Sequence, residues 1–102
     1  MKTNLKALAL CALVACSNAE AATVCPGKVI RILDWPSKCD GYFGFMLDST
    51  NPVWICALSN KSDSMVLAAY AAGKTISPRL SVEMACDAID NYHTPIYIIV
   101  AG

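Results

Sequence analysis

Length, charge and cysteine content narrow the class of this protein before any element is considered. The chain has 102 residues, in which eight Lys and Arg residues balance eight Asp and Glu residues, and six residues are cysteine. Balanced charge without a basic stripe argues against a nucleic-acid-binding protein. Beyond the N-terminal residues, no apolar run is long enough to cross a bilayer, so we expect no transmembrane segment in the mature chain.

The N-terminal residues have the pattern of an export signal. Two lysines precede a short apolar run at residues 7–16, and small residues follow it. Cleavage after Ala21 removes residues 1–21 and leaves one domain, residues 22–102, without a linker or an internal repeat. The alternative is a lipobox that ends at Cys16, which would leave a lipid-anchored N-terminus. Both interpretations predict export, either to the periplasm or out of the cell.

The residues after this segment alternate between strand-like runs and turn residues. β-Branched and aromatic residues predict three strands in succession, joined as an antiparallel meander. A run of helical period then begins with Ser62 or Asp63 as its cap and ends at Gly73. Residues 81–91 fit a strand and a short helix equally well. The five predicted strands are residues 28–34, 42–47, 53–58, 74–80 and 95–101.

The order of three strands, a helix and two strands predicts a mainly β fold. It is the order of the small five-stranded OB-fold barrel, whose one helix lies between strands 3 and 4. Gly44 and Pro78 are expected to supply the bulges that let a small sheet curl into a barrel. An open α+β sheet with the same element order is the alternative.

Four cysteines remain after the export signal, and an even number in an exported domain of this size predicts two disulfide bonds. Four cysteines allow three pairings, and the sequence does not select among them. We favour Cys56 with Cys86 and Cys25 with Cys39. No Cys-x-x-Cys pair is present, and the wide spacing does not suit a metal site. The disulfides are expected to stabilise a domain whose core is small.

No pattern in the sequence predicts a catalytic residue, a metal site or a cofactor, so we expect a non-enzyme. The only histidine, His93, lies in a predicted turn, and no strained Gly-x-Ser-x-Gly turn presents a nucleophile. The first loop instead mixes an aromatic ring with hydroxyl, carboxylate and ammonium groups, a combination typical of sugar sites. Trp35 is the candidate stacking ring, and its alternative role is to cap the end of the barrel. The candidate ligand-binding residues are Asp34, Trp35, Ser37 and Tyr42.

Two segments carry a resemblance to a known family. Residues 53–74 (VWICALSNKSDSMVLAAYAAGK) and 95–100 (PIYIIV), roughly a third of the mature domain, resemble the B subunits of pentameric bacterial toxins of the subtilase cytotoxin and pertussis toxin type. The resemblance implies an OB barrel, a homopentameric ring, binding of sialylated or other cell-surface glycans, and a separate catalytic A subunit. The family's sugar-contacting residues do not align with the first loop, so none is carried over to it.

The predicted helix is apolar around almost its whole circumference, which is typical of a helix covered on two sides. One small barrel covers one side, so we expect the other side to contact another subunit. The alternative is that alanines are tolerated in water. The candidate interface residues are Met65, Val66, Ala69 and Tyr70. A second hypothesis is a monomeric periplasmic or lipid-anchored protein that binds another protein, as an inhibitor does.

Overall fold

The computed structural model describes residues 23–100, and the predicted export signal, with Cys16, lies outside the described residues. These residues form an antiparallel sheet and one helix, so the expectation of a mainly β fold is confirmed. The strands are β1 (Thr23–Val24), β2 (Gly27–Leu33), β3 (Gly44–Leu47), β4 (Ile55–Cys56), β5 (Thr75–Leu80) and β6 (Tyr97–Val100). Helix α1 (Asn60–Ala72) lies between β4 and β5.

The sheet has six strands where the sequence predicted five, because pairing begins before residue 28. Strands β1 and β2 both pair antiparallel with β5, and they do so in one continuous register. Between them, the amide of Cys25 donates to the carbonyl oxygen of Pro78 at 3.1 Å. Pro26 has no amide proton, which interrupts the regular ladder and separates β1 from β2. The first predicted strand is thus the second half of a longer one.

Strand β5 lies between β6 on one side and the β1–β2 strand on the other. On its far edge β2 pairs with β3, and β3 pairs with β4. The register of β2 against β3 shifts between Val29 and Arg31, which marks a bulge there. The expected bulges at Gly44 and Pro78 are wrong, since both residues are regularly paired. The bend of this sheet therefore lies in its long first strand.

Residues 81–91 form neither the strand nor the helix that their pattern allowed. The segment is instead held by single contacts, such as the hydrogen bond from the amide of Met84 to Oγ1 of Thr23 at 3.2 Å. Ile89 is buried in the core. Just before β6, His93 forms a parallel bridge with Ile55 of β4. These contacts bring the β5–β6 connection back across the sheet.

Helix α1 begins earlier than predicted because Ser59, rather than Ser62 or Asp63, is its N-cap. Ser59 and Ser62 form a reciprocal capping box, in which each side chain accepts a hydrogen bond from the other residue's amide. The helix ends as expected at Gly73, whose φ of 65° suits a residue without a side chain. The inner face of α1 packs on the sheet. The fully buried core side chains include Phe45, Leu47, Ile55, Val66, Ile76 and Leu80.

All four predicted cysteines form disulfide bonds, but the pairing we favoured is wrong. Cys25 is bonded to Cys86, and Cys39 is bonded to Cys56. The sheet explains the second bond, because Cys56 pairs with Gly44 and the first loop returns to the sheet at that residue. The Cys39 sulfur consequently lies 3.7 Å from where a side chain on Gly44 would begin. Two disulfides are consistent with an oxidising compartment.

Candidate functional site

The loop between β2 and β3 folds into consecutive turns that present its polar side chains to solvent. The amide of Lys38 donates to the carbonyl oxygen of Trp35 at 2.9 Å, and that of Gly41 donates to Pro36 at 2.8 Å. Asp40 and Gly41 have positive φ angles of 54° and 88°, which close the loop tightly. The loop therefore has a defined backbone shape although it contains no strand or helix.

The Cys39–Cys56 disulfide fixes this loop to the sheet. Both half-cystines are buried, and the sulfur of Cys56 lies 3.6 Å from the carbonyl oxygen of Lys38. The same sulfur lies 3.3 Å from the carbonyl oxygen of Tyr92, which belongs to the segment before β6. One disulfide thus brings together two segments that are distant in sequence.

The segment around Tyr92 is held by backbone pairing with β4 and with Trp54, the residue that precedes β4. Its amide donates to the carbonyl oxygen of Trp54 at 2.8 Å, and the amide of Trp54 donates to Oδ1 of Asn91 at 2.8 Å. The amide of Cys56 donates to the carbonyl oxygen of His93, also at 2.8 Å. Tyr92 has a φ of 61°, which is unusual for an aromatic residue. This rigid corner aims its ring at the first loop.

The loop and the corner meet in a cluster of Trp35, Lys38 and Tyr92, which we call the ammonium clamp. The Nζ of Lys38 lies over both rings, 4.9 Å from the centroid of Trp35 and 5.3 Å from that of Tyr92. Each such contact contributes about 0.5–1 kcal/mol at an exposed site. Trp35 remains 48% exposed, so its side chain is not sealed into the end of the sheet. A ring held in place yet open to solvent can stack on a ligand.

The other predicted ligand-binding residues lie on the same loop and differ in their exposure to solvent. Asp34 and Ser37 are exposed on the same loop, whereas Tyr42 is half-buried at its end. Their side chains make no hydrogen bond within the described part of the chain, which leaves these groups open to solvent or ligand. Tyr92 was missed by the sequence reasoning because only the pairing of its segment with β4 brings it to the loop. Lys38 was visible in the loop but carried no sign of its position between two rings.

The Nε2 atom of His93 is buried without a hydrogen-bond partner among residues 23–100, while the backbone of the same residue is paired with β4. Over that range no three His, Cys, Asp or Glu side chains converge as a metal site would require. The range also holds no helix with the length and apolarity to cross a membrane.

The four candidate interface residues divide between the core and the surface. Val66 and Ala69 are buried against the sheet of their own chain, so they have no surface left for another subunit. Met65 is half-buried, and Tyr70 is 51% exposed. Leu67, which is also exposed, lies beside Tyr70 on the outer side of α1. The outer side of the helix is thus apolar and uncovered.

A second apolar surface lies on the sheet. Directly paired residues project to the same side, and Arg79 of β5 pairs with Val24 on one side and Tyr97 on the other. In the next row, Ser77 pairs with Ile99. Val24, Tyr97 and Ile99 are all at least two-fifths exposed, whereas the alternate β5 residues are buried. We call this side the outer sheet face.

Comparison with known proteins adds no relative. No protein-family model matches the chain, and no curated protein is significantly similar to it. Neither comparison links the chain to the toxin B subunits that two of its segments resemble. Function is therefore inferred from the geometry of the site.

Proposed function

We propose that this chain is an exported, non-enzymatic binding subunit that recognises cell-surface glycans as a homo-oligomeric ring, in the manner of the toxin B subunits. The carrying observation is the ammonium clamp, in which the centroids of the half-exposed Trp35 ring and of the Tyr92 ring both lie within 5.3 Å of the Nζ of Lys38. Sugars bind where an aromatic face meets the apolar side of the ring and polar groups meet the hydroxyls. Asp34 and Ser37 supply such groups on the same loop.

The strand neighbours support an OB-type barrel as the scaffold of this function. Starting from β2, the pairing passes through β3 to β4 and then, by the Ile55–His93 bridge, to the segment that enters β6. Strand β6 pairs with β5, and β5 pairs with β2, which returns to the start. If β1 and β2 count as one strand, the helix follows the third of five strands, as in the OB order.

The proposed homo-oligomeric ring is supported by apolar surface that the single chain leaves uncovered. The outer side of α1 and the outer sheet face lie on different elements, and both carry large exposed apolar side chains. A contact between two different patches on successive copies produces a ring when the rotation closes. The same surface serves the alternative, a monomeric exported or lipid-anchored protein that binds another protein, and oligomeric state separates the two. A catalytic A subunit is a further partner that the toxin resemblance implies.

A glycan array with the mature protein tests the proposed binding. We expect selective binding to a small set of cell-surface glycans, and we expect Trp35→Ala to weaken it about tenfold, or roughly 1.4 kcal/mol. The melting temperature should fall by only a few degrees, because the half-exposed ring contributes about 0.5–1 kcal/mol through its contact with Lys38. Met84→Ala is the matched control, since Met84 is 47% exposed and lies outside the clamp. A folded Trp35→Ala variant with unchanged glycan binding would refute the proposal.

A further inference from the structure

The space between the rings of Trp35 and Tyr92 already holds a positive charge. The Nζ of Lys38 lies within 5.3 Å of both ring centroids, inside the range in which the negative face of an aromatic ring attracts a cation. Arg79 provides a comparison, because its guanidinium lies 5.9 Å from the ring centroid of Tyr97, farther than either distance in the clamp. The clamp thus places two aromatic rings at short distance from one cation.

The backbones that carry the two rings are fixed independently of the Lys38 side chain. Tyr92 is fixed by its backbone pairing with Trp54, and Trp35 lies in a turn that is closed by a backbone hydrogen bond. The disulfide between Cys39 and Cys56 ties that turn to the sheet. Each of these constraints remains when the side chain of Lys38 moves away. The backbone on both sides of the site is therefore preformed.

Lys38 is a weakly held occupant of this site. Its side chain is exposed, and within the described part of the chain its ammonium group forms no salt bridge. An ammonium group is compact and strongly hydrated, so contact with the rings costs it part of its hydration. Its four-carbon chain is also free to swing into solvent. A cation with weaker hydration would compete with it effectively.

We propose that Trp35 and Tyr92 form a binding site for a quaternary ammonium group, and that the Lys38 side chain is its resident competitor. A trimethylammonium group spreads its charge over three methyl groups, loses little hydration, and contacts two aromatic faces at once. Ligands of this class include choline headgroups and trimethylated amines. The site does not depend on the proposed glycan function, because neutral sugars carry no such cation.

The test is an NMR titration of the mature protein with choline chloride, with sodium chloride at equal ionic strength as the salt control. In the free protein, the ε-methylene protons of Lys38 should be shifted upfield by the two rings. Choline should return them towards free-lysine values and bind with a Kd on the order of 0.1 M, as two cation–π contacts at an exposed site suggest. Lys38→Ala should tighten choline binding about fivefold, because the competitor is gone.

Matched ligands and variants show whether the positive charge and both rings are required. The neutral isostere of choline, 3,3-dimethylbutan-1-ol, should bind far more weakly, and Tyr97→Leu should leave choline binding unchanged. Trp35→Leu and Tyr92→Leu should abolish choline binding. Tyr92→Phe keeps an aromatic ring and should retain choline binding. The Phe variant keeps the test decisive if Tyr92→Leu does not fold. Equal binding of the isostere, or unchanged or weaker binding by Lys38→Ala, would overturn the proposal. Loss of glycan binding alone would leave it standing.

Discussion

Removing the disulfides one pair at a time tests both the pairing and its energetic role. The Cys25–Cys86 bond closes a separation of 61 residues, and the Cys39–Cys56 bond closes one of 17. On the chain-entropy relation, loss of the longer closure costs about 4 kcal/mol and loss of the shorter about 3 kcal/mol. We therefore expect Cys25→Ala/Cys86→Ala to destabilise the domain about 1 kcal/mol more than Cys39→Ala/Cys56→Ala, a difference of roughly 4–8 °C in melting temperature.

The assays are urea unfolding monitored by circular dichroism and thiol titration of the exported, denatured protein. Because each double variant removes both partners of one bond, we expect no free thiol in either variant. The pairing of Cys56 with Cys86 would instead leave two free thiols in each, which would refute the structure's connectivity. A larger loss of stability from the Cys39 and Cys56 pair would refute the argument from loop length. Circular dichroism first establishes that each variant folds, because the remaining cysteines form their native bond only in a folded domain.

Three substitutions test local features of the fold by the same urea assay. Thr50→Val should cost about 1–3 kcal/mol, because buried Oγ1 accepts the amide of Leu47 at 3.0 Å and valine leaves that amide unpaired. Ser49→Ala is its control and should cost nothing, since the Ser49 hydroxyl has no partner in the described residues; an equal loss would contradict the reasoning. Ser59→Ala should cost about 1 kcal/mol through loss of the helix cap. Gly73→Ala should cost about 1–2 kcal/mol, because alanine is strained at the left-handed φ of this position. An unchanged urea midpoint would contradict the prediction for Ser59→Ala or for Gly73→Ala, whichever variant shows it.

The parts of the fold that the sequence predicted are those encoded locally. Runs of β-branched and aromatic residues located β2 to β6 to within a few residues, and Gly73 marked the end of α1 because few other residues adopt its backbone angles. The cap was misplaced by three or four residues, since Ser59, Ser62 and Asp63 are all plausible caps in isolation. Only the reciprocal hydrogen bonds of the folded turn select Ser59.

The parts that the sequence did not predict depend on contacts between distant segments. The disulfide pairing follows from Cys56 lying opposite Gly44 in the sheet, which no spacing of cysteines reveals. Tyr92 reaches Lys38 only because its segment pairs with β4, so the second wall of the clamp was invisible. Val66 was assigned to an interface because the helix is apolar all round, and only packing on the sheet shows which side is buried.

Native mass spectrometry of the protein exported from its own signal tests the proposed ring. We expect a closed ring of copies, five if the toxin resemblance extends to assembly, with each chain lighter by four hydrogens because of its two disulfides. We also expect Leu67→Glu, on the outer side of α1, to shift the ring towards monomer without unfolding it. A monomer at all concentrations would contradict the ring, and added lipid mass would favour an anchored protein that binds another protein.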